Sequence, residues 1–244
     1  MFALVLVLSA LTAIELVTRR IAWSSRGINL QAWAVSLSAT ILLLPLVQYA
    51  VPGSLIESAP LWLSIPLFIL VMDLGEYLFH RAQHASPLLW RMHSLHHSDH
   101  DMNATTTNRH FWGDSLLKAL TIWPLAALIV APTPTASAIY VALSLWNYFS
   151  HSAIDVNFGR WSWLINSPAY HRRHHSIRPE HYGSNFAALF PVFDVIAGSY
   201  HRPVGFPPTG LDERPEHIGH ILLWPLRGAR LPNGPVAAAD RPAH

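Results

Sequence analysis

Histidines crowd one short stretch of this chain and recur in the same pattern further on. Residues 91–101 read RMHSLHHSDHD, with four histidines in eight positions. Protonated imidazoles repel one another, and each neutral ring needs partners for a donor and an acceptor nitrogen. A metal cation removes this conflict, because each neutral ring can give it a lone pair and donate the other N–H to a nearby acceptor. The cluster therefore predicts metal binding.

The histidines with ligand spacing form one HxxxH pair, two HxxHH triplets and one single residue at the end of an apolar run. Spacings of three and four place the rings of each group on one helix face. Nine imidazoles exceed the three or four ligands of one zinc ion, so we predict two ions. Imidazole suits iron, zinc, copper and nickel alike. The pair and the two triplets are His80, His84, His93, His96, His97, His171, His174 and His175, and the single residue is His151.

The other seven histidines lack this spacing, and for them we expect a solvated or structural role. They are His100, His110, His181, His201, His217, His220 and His244.

Two carboxylates precede the HxxxH pair on the same predicted helix. Asp73 and Glu76 lie seven and four residues before His80. A carboxylate buried near the end of a membrane helix needs a partner. We therefore predict that Asp73 accepts a hydrogen bond from a ligating imidazole, whereas Glu76 faces lipid headgroups. Further candidates for the role of Asp73 are Asp99, Asp155 and Asp194.

Long apolar runs must position these residues. Hydrophobic residues make up 51% of the 244 residues and charged residues 12%. Two of the runs reach about twenty residues, the length that crosses a bilayer. The runs predict an integral membrane protein. The runs are 2–18, 31–50, 60–79, 116–132 and 135–150.

The basic residues predict the topology. No Lys or Arg occurs in residues 27–80 or 119–159, so the positive-inside rule places loop 19–30, segment 80–115 and the C-terminal region in the cytoplasm. Ser86-Pro87 and Ser167-Pro168 are typical of helix starts, with serine as the N-cap and proline at the first helical position. We divide the chain into a membrane-bound domain, 1–200, and a Pro-rich tail, 201–244, which is expected to be extended or partly disordered.

Composition also excludes several functions. The chain has no cysteine, so disulfides, thiolate zinc sites and thiol catalysis are excluded. A net charge of +2 without a basic, aromatic patch predicts no nucleic-acid binding. A membrane zinc hydrolase and a divalent-metal transporter stay open as alternatives. The first would need a carboxylate base, as in HExxH, which is absent, and the second would need ligands near the bilayer midplane.

Four segments between Asp73 and Tyr200 have a recognisable order and spacing: DLGEYLFHRAQH, WRMHSLHHSDHDMNATT, YHRRHHS and YGSNFAALFPVFDVIAGSY. They resemble the fatty acid hydroxylase (sterol desaturase) superfamily of membrane-bound di-iron oxygenases. The resemblance implies an all-α fold: an integral membrane helical bundle of about four to five membrane segments with a cytosolic histidine-rich helical cap. It also implies that the nine histidines bind two iron ions (zinc being a possible substitute), and that O2 hydroxylates or desaturates a lipid substrate. It also implies an external electron donor, such as a cytochrome b5-like protein or a ferredoxin with its reductase, because the chain has no flavin, haem or iron–sulfur motif.

Two positions depart from the family pattern. Asn147 stands where some members have a histidine four residues before the one that matches His151. We therefore predict an amide or water beside one metal site. The family's R-x-H-P-x-E segment is RHFWGD here, with its histidine one place early, which argues against a role for His110.

Overall fold

The computed structural model describes residues 2–18, 23–47, 53–56 and 59–227. In these ranges the regular elements are helices, joined by turns and two isolated β-bridges. The predicted all-α class is confirmed. The α-helices are α1 (Phe2–Thr18), α2 (Trp23–Val47), α3 (Leu61–Ala85), α4 (Pro87–His97), α5 (Trp112–Ile129), α6 (Pro134–His151), α7 (Pro168–His174), α8 (Val192–Ile196), α9 (Ile218–Leu222) and α10 (Trp224–Arg227).

Among the described residues, the five predicted apolar runs overlap with α1, α2, α3, α5 and α6. Within the described part of the chain, α3 is the one helix long and apolar enough to cross a membrane by length and composition. It also leaves large apolar side chains uncovered, such as Trp62 at 75% and Leu78 at 56% exposure. Exposed apolar surface of this extent marks contact with lipid or another protein. The number of membrane segments stays a prediction.

The apolar core of the bundle joins α3, α5 and α6. Phe68 and Met72 of α3 pack with Ile122 of α5 and Ala136 of α6. Gly75 lets α3 and α5 approach closely, since a Cβ there would lie 3.0 Å from the Ile122 side chain. This packing fixes α3 and α6 against α5, and each of these two helices carries candidate ligands near its last residue, His80 and His84 on α3 and His151 on α6.

The predicted loop 19–30 is wrong from residue 23 onward, because α2 begins there. Arg26, which we had assigned to a solvated positive loop, is buried and pairs with Glu15 at 2.6 Å. The other oxygen of Glu15 accepts the backbone N–H groups of Ala104 and Ala153, each at 2.7 Å. The carboxylate inside the first apolar run gives the arginine a buried partner. Arg19 and Arg20 lie outside the described residues.

Both predicted helix starts are confirmed. The Ser86 hydroxyl accepts the N–H of Leu89, with Pro87 as the first residue of α4. The Ser167 hydroxyl accepts the N–H of Tyr170 in the same way, with a proline opening α7. These caps fix where the two HxxHH helices begin, and so the direction in which their rings point.

The segment after residue 200 is less extended than predicted. Ile221 and Trp224 are buried and pack with α2 and α4 residues around Leu95. The Trp224 indole also donates to the Ser94 hydroxyl at 2.9 Å. The apolar stretch ILLW between the prolines explains this docking, since it buries a large hydrophobic surface. Residues 228–244 of the predicted tail lie outside the described residues.

Candidate metal centre

All nine predicted ligands gather in two groups of side chains. Within each group, the candidate ligand atoms lie within 4.8 Å of one another. Seven of the nine residues are buried, and His80 and His84 are half-buried. Each group has enough nitrogens for one ion. The first histidine group is His80, His84, His93, His97 and His174, and the second is His96, His151, His171 and His175.

Each HxxHH triplet is divided between the two groups. From α4, His93 and His97 join the first group, whereas His96 joins the second. From the triplet at α7, His171 and His175 join the second group, whereas His174 joins the first. The three rings that we expected on one face of each helix thus belong to two different groups. Because α4 and α7 serve both, the two groups lie side by side.

The nitrogen spacing fits bound metal. The Nε2 atom of His151 lies 3.0 Å from that of His96 and 2.9 Å from that of His171. Its Nδ1–H donates to the Asn147 carbonyl at 2.8 Å, so its Nε2 carries a lone pair. Two nitrogens that bind one ion at roughly 2.0–2.1 Å lie about 3 Å apart. The second group therefore has the geometry of ligands around a common centre.

Backbone carbonyls orient further rings. His80 and His174 donate their Nδ1–H to the carbonyls of Phe186 and Ser184, each at 2.8 Å. Their Nε2 atoms are buried and have no hydrogen-bond partner among the described residues. Ligating histidines usually show this arrangement, with one nitrogen held by an acceptor and the other free for a metal.

A left-handed turn presents the Ser184 carbonyl to the first group. Gly183 and Asn185, on either side of it, have φ values of +68° and +60°, a conformation that glycine and asparagine tolerate best. The Asn185 side chain fixes the turn, because it accepts the N–H of His201 at 2.7 Å and donates to the Tyr170 carbonyl at 3.3 Å. The YGSN sequence thus supplies an acceptor for a ligand.

Asp73 does not hydrogen-bond to an imidazole, contrary to our prediction. Its two oxygens accept the backbone N–H groups of Leu189 and Phe190, each at 2.8 Å. Seven residues of helix separate Asp73 from His80 by about 10 Å along the axis, which is too far for direct contact. Asp73 instead holds the segment 186–190, whose first carbonyl orients His80.

Asp194 supports the same segment from the other side. Its carboxylate accepts the N–H groups of Phe186 and Ala187 at 3.0 and 2.9 Å, and the Tyr170 hydroxyl. Of the other two candidate carboxylates, Asp99 accepts the Ser25 hydroxyl at 2.6 Å in a buried network away from the histidines, and Asp155 is exposed.

Sequence reasoning missed His110 and Asp114. The His110 ring stacks on His96 with centroids 4.2 Å apart, so His110 lies beside the second histidine group. The buried Asp114 places one oxygen 3.7 Å from His110 Nδ1 and 3.9 Å from His93 Nδ1. The four-residue spacing between His110 and Asp114 was the sequence pattern that could have indicated this pair. The prediction that Glu76 faces lipid headgroups is also wrong, because Glu76 faces the interior and pairs with Lys118 at 2.7 Å.

Burial keeps the ligand rings neutral. Desolvation, followed by the neighbouring histidines, holds the pKa of His93, His96 and His97 well below the usual value. Burial lowers the pKa of His174 to about 4. Neutral imidazole is the form that binds metal. These rings are thus prepared for a cation at neutral pH.

A cavity of about 430 Å³ opens from the two groups into the bundle. It starts at His80, His96 and His151, runs between α3, α5 and α6, and reaches Trp123 and Tyr140. Asn147 lines it, and its backbone carbonyl accepts from His151. The volume lies within the range of small-molecule sites. A ligand in this cavity would lie beside both groups.

Comparisons with known proteins agree with this geometry. The family described as fatty acid hydroxylase matches residues 65–199. An alkylglycerol monooxygenase of Xenopus tropicalis is 31% identical over 135 residues, which are 55% of this chain and 30% of that protein. An ornithine lipid hydroxylase of Rhizobium tropici is 30% identical over 145 residues, 59% of this chain and 44% of that protein.

A Delta(7)-sterol 5(6)-desaturase of Schizosaccharomyces pombe is 24% identical over 140 residues, 57% of this chain and 44% of that protein. The chain thus covers between 30% and 44% of the length of these three relatives. No solved structure matches the chain significantly.

Proposed function

The chain belongs to the fatty acid hydroxylase family, and we propose that it is a membrane-bound di-iron oxygenase that hydroxylates or desaturates a C–H bond of a lipid. The observation that carries the proposal is the division of nine histidines into two groups beside one cavity. All nine lie within the matched residues 65–199. The relatives, which by name are a monooxygenase, a hydroxylase and a desaturase of lipids, support an oxidoreductase.

Each histidine group would hold one iron ion. Bound there, the two ions would supply O2 activation with two external electrons and two protons. In a hydroxylation one oxygen atom would enter the substrate and the other would leave as water, whereas in a desaturation the substrate would lose two hydrogens and both oxygen atoms would leave as water. Zinc would fit the same nitrogens in purified protein, since imidazole binds both metals. Three backbone carbonyls orient His80, His151 and His174 so that the Nε2 lone pair of each ring can bind a metal ion.

The protein's own contribution is placement and exclusion of water. The carbonyls of Phe186, Ser184 and Asn147 fix the rings, so the ligand geometry exists before a metal binds. The cavity receives the lipid from the bundle and brings one of its carbons next to both groups. Such positioning of a cofactor against its substrate is what a protein adds to cofactor chemistry.

The membrane arrangement follows from the positive charges and from α3. In this proposal α3 spans the bilayer, the other long apolar helices complete a multi-pass bundle, and the histidine groups lie on the cytoplasmic side. A soluble donor, either a cytochrome b5-like protein or a ferredoxin with its reductase, would deliver electrons there. The unit of residues 1–200 would carry the activity, and the segment after it would pack on α2 and α4.

Lipid extracts test this function. Cells that express the protein should contain a lipid that has gained one oxygen atom or lost two hydrogens. Cells that express His97→Ala should lack it, because His97 belongs to the first group. Lipid cleavage products would indicate a hydrolase instead. Unchanged lipids with altered cellular metal content would indicate a transporter.

A further inference from the structure

One wall of the cavity carries an ion pair where a hydrocarbon chain would favour apolar residues. Glu76 of α3 and Lys118 of α5 both line the cavity and lie 2.7 Å apart. Their side chains keep 23% and 27% of their surface accessible, so a ligand in the cavity can reach both. Glu76 is one helical turn, about 6 Å, from His80. The pair therefore lies close to the first histidine group.

This pair is expensive to keep inside a membrane bundle. Ionisable residues there are costly and usually mark a substrate or ion pathway. Helix packing does not require the pair, because Met72 and Ile122 already join α3 to α5 in the apolar core. The polar surface also extends to α6, whose Ser144 lines the same cavity. Three helices thus make the space beside the histidines polar.

We propose that Glu76 and Lys118 bind the polar head of the substrate, which is therefore a lipid oxidised close to its head group. A hydroxyl or ammonium group of the head would donate to Glu76, and a head-group oxygen would accept from Lys118. With the head one helical turn from His80, the carbon beside the metals lies only a few bonds from the head. This inference rests on the proposed oxygenase function and names its substrate class.

The two charges distinguish this substrate from an acyl chain oxidised far from its head. A hydrocarbon tail offers neither donor nor acceptor, so it would leave the desolvated pair without compensation. A head group that hydrogen-bonds to both residues makes up for the hydrogen bonds of the water that it displaces. Binding should therefore depend on donors in the head group more than on chain length.

Equilibrium lipid binding tests the proposal without needing turnover. The full-length chain would be loaded with zinc in detergent, and its affinity would be measured for hexadecylglycerol, ornithine lipid and hexadecyl methyl ether. The ether has an alkyl chain of the same length as hexadecylglycerol but no donor. The variant is Glu76→Gln with Lys118→Met, since removing both charges avoids an unpaired buried one. The control is Glu15→Gln with Arg26→Met, which removes a buried ion pair that does not line the cavity.

We expect wild-type protein and the control to bind hexadecylglycerol or ornithine lipid at least about tenfold more tightly than the ether, a difference of about 1.4 kcal/mol. The Glu76–Lys118 variant should lose this preference and keep its metal. Equal affinity of wild-type protein for all three lipids would overturn the proposal, as would an unchanged preference in the variant. Loss of the preference in the variant, together with no oxidation of any lipid by iron-loaded wild-type protein supplied with O2 and a reduced electron donor, would support this head-group site and refute the oxygenase function.

Discussion

Asp73→Asn should weaken the first metal site without contacting it. The carboxylate of Asp73 accepts two backbone N–H groups at 2.8 Å, those of Leu189 and Phe190. An asparagine has one carbonyl oxygen and one NH2, so one of these N–H groups would face another donor. Hydrogen bonds to a charged group contribute about 1.5–3 kcal/mol each. Losing one and weakening the other should destabilise the segment 186–190 by about 2–4 kcal/mol.

The effect should reach the metal through one carbonyl. The Phe186 carbonyl at the start of that segment accepts from His80 Nδ1 at 2.8 Å. If the segment shifts, His80 loses its orientation, and loss of such an outer hydrogen bond reduces metal affinity about 10- to 100-fold. We expect competition with a chelator to remove one ion at a correspondingly lower chelator concentration in Asp73→Asn, while the ion in the second group stays bound.

The matched control lies one turn along the same helix. Glu76→Gln with Lys118→Met removes a carboxylate of α3 that makes no contact with the segment 186–190, so both ions should stay bound. Wild-type metal affinity in Asp73→Asn, with an intact fold, would refute the positioning role of Asp73. Loss of metal in the control alone would mean that Glu76 is the carboxylate that matters.

The remaining predictions concern single side chains and pH. His174→Ala should abolish lipid oxidation, whereas His217→Ala and His220→Ala should not; inactive tail variants with intact fold and metal would show that the ligand set is wrong. The pKa of His174 falls from 6.5 to about 4 on burial. Between these two pH values the unfolded chain therefore binds more protons than the folded chain. Thermal unfolding of metal-free protein should therefore shift to lower temperature as the pH falls from about 6.5 to 4, and a constant midpoint would contradict this. In the same chelator titration, Asp114→Asn should lower metal affinity by less than Asp73→Asn does, because the nearest oxygen of Asp114 is 3.9 Å from His93. A larger loss of metal affinity in Asp114→Asn would contradict this.

Local patterns were predictable from the sequence. Eight of the nine histidines are recognisable because ligand spacing on a helix is set within four residues, whereas His151 stands alone at the end of an apolar run. Both serine caps are recognisable because the serine and the N–H that it accepts are three residues apart. The five long helices follow from apolar runs of sufficient length. In each of these cases the physical cause lies within one helix or at its start.

Long-range and backbone partners were not predictable. Asp73 bonds to N–H groups 116 and 117 residues away, and backbone groups carry no residue signature. Arg26 was assigned to a solvated loop because its partner Glu15 lies on another helix. The pairing of Glu76 with Lys118 likewise depends on how α3 packs against α5. The division of each HxxHH triplet between two groups required the relative rotation of α4 and α7, which spacing does not determine.

The most direct test of the central claim is the iron content of the protein. Wild-type protein, reconstituted anaerobically with excess ferrous iron and desalted, should hold two iron ions per chain by elemental analysis. His84→Ala and His175→Ala, which each remove a ligand from a different group, should each hold close to one. A wild-type content that stays near one ion per chain after reconstitution would contradict the di-iron assignment.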